Sequence, residues 1–362
     1  MIRPAQVLSL VVAGLALASV GVWLASRHGT DSTAEPTGPV LPLKQEDLNA
    51  VTRVGIFKGD GSHVTLTRDA THWVVAERGY PADTGQVRKL LLDLAALQIE
   101  EQKTSDPALY SKLGVEDPRG AQTSSTGVNI DLKGRTLGVI VGKTSGTGSV
   151  YLRVAGTAQS LLASPQLTPD ADPRHWLDHS ILDIPAEQVS EVDVKAVSGP
   201  EYAVKRGTVS PIPKGRELAD PGAPTAQAGA LVGLQLDDVR KATAHAPAAQ
   251  ATFRTADGLI LTLAGIQEGE TRYLTVIAGA SAPALQQRVR DLNARLAGWE
   301  FELPGYRYDT LFRPLEQLLK PLPAAKPAAA PKAPHSAVAA PAALPLAPQN
   351  QGAGKVTPQQ SH

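Results

Sequence analysis

The central part of this chain is written twice, and that repetition narrows the folds open to it more than any other feature. Residues 51–56 (VTRVGI) are answered by 189–194 (VSEVDV), and 64–68 (VTLTR) by 202–206 (YAVKR). Further on, 82–85 (ADTG) and 97–100 (LQIE) match 219–222 (ADPG) and 234–237 (LQLD), and 151–154 (YLRV) match 273–276 (YLTV). The paired segments alternate apolar and polar residues, the period of a strand with one buried face. Matching order over such a length predicts two related structural units in tandem, residues 45–185 and 186–322.

Each unit has the same coarse plan. In the first, strands over residues 53–57, 64–68 and 73–77 are separated by the Gly59-Asp60-Gly61 turn. Asp83 or Thr84 then caps a helix whose stripe of Val87, Leu90, Leu91, Leu94 and Leu97 has the 3.6-residue period of a face packed on a sheet. Strands over 128–132, 137–141 and 150–154 follow, the first two joined at Lys133-Gly134-Arg135. Hairpins with few helices predict antiparallel sheets and the α+β class. In the second unit four prolines between 211 and 225 place the start of the helix near Ala226.

Outside these units the chain changes character. Val7 to Ala25 carries no charge and meets the length of roughly 17 to 25 residues that crosses a bilayer. It exceeds the apolar core of about 7 to 15 residues of a cleaved signal, so residues 1–26 are expected to form an uncleaved anchor. Residues 27–44, with Pro36, Pro39 and Pro42, read as a flexible linker. Residues 323–362 are a Pro-, Ala- and Lys-rich tail of disordered composition. The absence of cysteine from all 362 residues suits an oxidising compartment. The expectation is a bacterial inner-membrane protein with a single span and its bulk in the periplasm.

Charge and aromatic content exclude some partners. Lys plus Arg and Asp plus Glu are both 35, so no overall field draws the chain to nucleic acid. Aromatic residues make up 4%, leaving few stacking platforms for bases.

Three local patterns bear on chemistry. His175 and His179 stand four apart around Asp178, the spacing that puts two zinc ligands on one helix face beside a carboxylate. No third ligand with its own motif follows, so the set is incomplete and no cofactor is expected. Gly142-Lys143-Thr144 resembles the end of a phosphate loop, but the glycine required five positions earlier is Leu137. Glu100 with Glu101, and Asp237 with Asp238, are acidic pairs whose adjacent members point apart on a strand.

The first unit, from about Leu48 to Asp183, carries a recurring set in order: Trp73, Tyr80-Pro81-Ala82-Asp83, Tyr110 with Gly114, Gly142-Lys143, Tyr151-Leu152-Arg153 and Trp176-Leu177-Asp178. In this it resembles the bacterial domain-of-unknown-function family 4340. The resemblance implies a membrane-anchored extracytoplasmic protein associated with gliding-motility-type ABC transporter components, and it supplies no catalytic residues. Trp73, Tyr80, Pro81, Asp83, Gly114, Gly142, Tyr151, Arg153, Trp176, Leu177 and Asp178 are accordingly expected to be structural. The function expected is a non-enzymatic periplasmic accessory or scaffold that meets other envelope proteins, an ABC transporter permease or auxiliary subunit among them. The competing expectations are a zinc-dependent hydrolase using His175 and His179, and an envelope-polymer binder using the basic tail.

Overall fold

Alternating residues become strands because a pleated segment can bury every second side chain while its backbone pairs laterally. The computed structural model describes residues 38–321 apart from 71, 121, 122 and 147. The expected anchor and the tail lie outside the described residues. Among those described, no helix is long and apolar enough to cross a membrane.

The first sheet is built from β1 (Val51–Lys58), β2 (His63–Asp69), β3 (His72–Val75), β4 (Tyr80–Pro81), β5 (Gln98–Gln102), β6 (Thr126–Leu132), β7 (Arg135–Ser145), β8 (Ser149–Val154) and β9 (Ser160–Ser164). A short β10 (Ser180–Leu182) follows. The second sheet draws on β11 (Val189–Lys195), β12 (Tyr202–Lys205) and β13 (Thr208–Ser210), then, past a two-residue β14 (Leu234–Gln235), on β15 (Asp238–Lys241), β16 (Ala249–Thr255), β17 (Leu259–Glu268), β18 (Thr271–Ala280) and β19 (Trp299–Glu302). The strand orders are β4-β3-β2-β1-β6-β7-β8-β9-β5 and β13-β12-β11-β16-β17-β18-β19-β15. All the pairings are antiparallel. With helices among these hairpins, the class is α+β. In both sheets the strand before the long central hairpin sits mid-sheet, and the strand after the first helix closes the far edge.

Register follows the apolar pattern. Val54 and Ile56 of β1, Val64 and Leu66 of β2, and Val128 and Ile130 of β6 are buried on one face. Each such side chain contributes about 1.5–3 kcal/mol on leaving water. A slip of one residue would turn the whole set outward. The β6–β7 turn needs left-handed backbone, supplied by Lys133 (φ 50°) and Gly134 (φ 76°).

The helix Thr84–Ala96 buries Val87, Leu90, Leu91 and Leu94 in the same core. It starts at Asp83, whose carboxylate accepts from the amides of Gly85 (2.8 Å) and Gln86 (3.1 Å). Tyr308 and Phe312 fill the space over Gly265 of β17, where a Cβ would lie 2.5 Å from the Tyr308 hydroxyl and 2.7 Å from the Phe312 ring.

Three expectations change. The linker ends earlier than Lys44, because Val40, Leu41 and Leu43 are buried and the Val40 amide bonds the Leu97 carbonyl at 3.0 Å. Pro39, bridged to Gln98, is tolerated at a sheet edge, where no amide is needed on the solvent side. The helix of the second half starts at Ala223, since Pro224 sits in the first turn, where a missing N–H costs nothing. Finally, the described residues up to Lys320 form one compact unit, and the buried residues of both halves belong to one hydrophobic cluster.

Candidate functional site

The residues singled out in the sequence gather at two places. The first is a knot on the outer side of β7 and β8. Gly114 ends the short helix Tyr110–Leu113 in the left-handed conformation, φ 70°. That turn lies against Gly142, where a Cβ would stand 2.4 Å from the Leu113 carbonyl oxygen and 2.8 Å from that of Gly114. Lys143 donates to the carbonyls of Ser111 (3.1 Å) and Lys112 (3.0 Å), so its charge caps the helix end. Arg153 lies 4.7 Å over the Tyr110 ring and donates to the carbonyls of Val115 (3.1 Å) and Thr157 (2.9 Å). The Tyr151 hydroxyl accepts from Ser145 at 3.2 Å. Gly142-Lys143 thus closes a backbone contact in a strand, not a phosphate cradle.

The second place is a strap between the halves. Ala82 pairs with Leu177; the Asp83 amide donates to the Trp176 carbonyl (2.8 Å) and the Asp178 amide to that of Pro81 (2.9 Å). Tyr80-Pro81-Ala82-Asp83 and Trp176-Leu177-Asp178 are therefore partners. The Trp176 indole donates to the Asp170 carbonyl at 2.9 Å. Beyond them β10 pairs with β14, and Arg295 donates to the carbonyls of Ser180 (2.9 Å) and Ile181 (2.8 Å).

The zinc geometry does not form. The 3₁₀ turn Pro173–Trp176 ends where Leu177 turns extended, so His175 and His179 share no helix face. His175 contacts the Asp170 carboxylate, while the His179 Nδ1 bonds the Leu236 carbonyl at 2.7 Å. Asp178 accepts from the Ser180 amide at 3.1 Å. Among the described residues no group of three or more metal-ligating side chains comes together. Beside this turn, Arg174 holds the Asp172 carboxyl down at about 2.

Where the strap meets the second sheet lies a charged cleft of about 380 Å³ lined by Glu77, Arg78, Asp238, Arg240, Tyr273 and Glu302. Strand pairing builds it: Asp238 lies opposite Glu302 and Arg240 opposite Glu300, placing these charges on one face of the sheet edge. Val239, Trp299 and Phe301 point the other way, into the core. Arg78, from the turn before β4, grips Asp238 with two bonds of 2.6 and 2.7 Å. Two residues on, the Tyr80 ring meets Trp299 edge-on at 5.0 Å and Phe301 at 6.1 Å. Burial pushes the Tyr80 phenol up to about 12.

Arg240 organises the rest. It donates to Glu300 (2.6 Å) and doubly to Glu268 (2.9 and 2.6 Å), and lies 3.8 Å over the Tyr273 ring. Burial works to raise the Glu300 carboxyl, but the Thr243 amide and Arg240 together hold it below its ordinary value. Glu302 is displaced the other way, first by burial and then by Asp238 and Asp237. Most charges here are therefore spent on one another, an arrangement suited to holding elements together. Among the described residues no serine, threonine, cysteine or histidine lines this cleft.

Of these residues the sequence pointed to Tyr80, Asp237 and Asp238. The signal for the others is the alternation of charge with bulk in 299–302 (WEFE) and 238–241 (DVRK), which reads as two edge strands with complementary faces.

A family model described as a domain of unknown function (DUF4340) matches residues 73–253, from Trp73 in β3 to Phe253 in β16. The match starts at Trp73, the first of the sequence marks and later than the Leu48 expected, and runs past Asp183 into the second sheet. No curated protein and no solved structure matches the chain.

Proposed function

This chain belongs to the DUF4340 family, and on that footing we propose that it is a membrane-anchored periplasmic scaffold whose two sheets, the products of a tandem duplication, present one rigid surface to other envelope proteins. The observation that carries this reading is where the family's recurring residues go. Tyr80, Asp83, Gly114, Gly142, Arg153 and Trp176 all make contacts that build the sheets or tie them together. Such a set preserves a shape, and a preserved shape is suited to docking. The duplication is supported by the parallel strand orders and by the paired sequence segments.

The anchor rests on the uncharged run from Val7 to Ala25, and the periplasm on that run together with the lack of cysteine. An ABC-type transport system is the partner the family resemblance suggests. Proximity crosslinking of the full chain in cells is expected to enrich permease or other envelope proteins, and recovery of none would sink the proposal. A reporter fused after Leu322 that is active solely in the cytoplasm would overturn the orientation.

A further inference from the structure

The outer face of the first sheet holds a second cleft of about 380 Å³, lined in part by Arg53, Gly55, Phe57, Arg119, Asn129 and Asp131. Gly55 is its floor, with open space where a Cβ would be. Phe57 forms a wall: its ring packs on Gly127, where a Cβ would meet it at 2.4 Å, and the Arg119 guanidinium lies 5.3 Å above it. Arg53 and Arg119 are exposed, and among the described residues no carboxylate pairs with either. Asp131, opposite Arg53 across the strands, instead accepts from the Thr136 hydroxyl at 2.6 Å.

The matching place on the second sheet is also a cleft, of about 540 Å³, but its charges are paired, Lys195 with Glu201 among them. Asp193 stands where Gly55 does and pairs with Arg254, so that face has no free guanidinium there. Two unpaired guanidiniums against one Asp131 leave about one positive charge over an open floor. A guanidinium fork fits a carboxylate with two parallel bonds, and one surplus charge matches a carboxylate better than a phosphate dianion.

We propose that this cleft binds a carboxylate side chain of an acidic peptide segment from a partner protein, with Arg53 and Arg119 as the two arms. This rests on the scaffold reading, since it names the chemistry of one partner. The test is calorimetric titration of the detergent-solubilised full chain with acetyl-Gly-Glu-Gly-Glu-Gly-amide and with its Gln counterpart. The Glu peptide is expected to bind, the Gln peptide at least about tenfold more weakly, and Arg53→Gln or Arg119→Gln to lose about tenfold each. Asp131→Asn is expected to tighten binding, and Gly55→Asp, which copies the second sheet, to abolish it.

Equal binding of the two peptides, no binding of either, or full affinity in the double arginine variant overturns the assignment. So does displacement of the Glu peptide by inorganic phosphate at lower concentration than by acetate, which would make the ligand a phosphate. A silent titration removes this cleft alone, because the scaffold reading is judged separately by crosslinking.

Discussion

Asn293 bonds both backbone groups of Ala278: its amide oxygen accepts from the Ala278 N–H at 2.8 Å and its amide nitrogen donates to the Ala278 carbonyl at 2.9 Å. Ala278 lies in the part of β18 that runs past its pairing with β19, which ends at Leu274. The side chain thus stands in for a missing strand, and the helix Gln286–Leu296 that carries it covers an edge open to intermolecular pairing. Asn293→Ala should cost about 1–3 kcal/mol by leaving two buried groups unpaired. Chemical denaturation measures this, and light scattering should show the variant associating at concentrations where the parent does not.

Two glycines of the first sheet should respond in opposite ways to alanine. At Gly142 the added methyl would meet the Leu113 carbonyl at 2.4 Å, forcing the 110–115 turn off the sheet. The expected loss is about 1–3 kcal/mol, as for an overpacked site. At Gly55 the methyl meets nothing within 4 Å, and alanine should leave stability unchanged or raise it by about 0.5–1 kcal/mol. Equal effects in thermal unfolding would refute the contrast.

Glu302 makes stability depend on pH in the sense opposite to most carboxylates. Burial and the neighbouring Asp238 and Asp237 raise its affinity for a proton above that in the unfolded chain. Its contribution is therefore fully present below the ordinary glutamate value of about 4.3 and is lost as pH rises through the raised one. Glu302→Gln should be more stable than the parent at pH 7 and show no such gain at pH 4. Denaturation midpoints at the two pH values provide the check.

Tyr80 is the aromatic link between the halves. Tyr80→Ala should cost about 3–5 kcal/mol, the usual penalty for deleting a buried ring. Because the ring contacts Trp299 and Phe301, hydrogen exchange should rise at β19 and β15 more than at β1 or β6. Uniform acceleration would mean that Tyr80 supports the whole core evenly.

Local features were legible in the residues. The β6–β7 turn was marked by Lys133-Gly134, the helix start by Asp83, and the strands by their two-residue period, because each depends on neighbours a few positions apart. What could not be read was any contact between distant segments. Tyr80 and Trp299 meet across most of the folded chain, and no period encodes that meeting. His175 and His179 would share a face only if the turn at Pro173 ran on as a helix, yet Leu177 is drawn into pairing with Ala82, and tertiary pairing outweighs a four-residue spacing. Val40, Leu41 and Leu43 were hidden among prolines that signal an open chain, while their apolar side chains had a sheet edge to cover.

The strap has a consequence for how such a sequence can drift. Arg78 and Asp238, Tyr80 and Trp299, and Arg295 and the β10 carbonyls each join one half of the folded region to the other. With such a wall shared between them, neither half can change at its inner border without a matching change in the other. The halves are then inherited as one unit: their outer faces are free to differ, as Gly55 and Asp193 do, while the seam must vary in pairs.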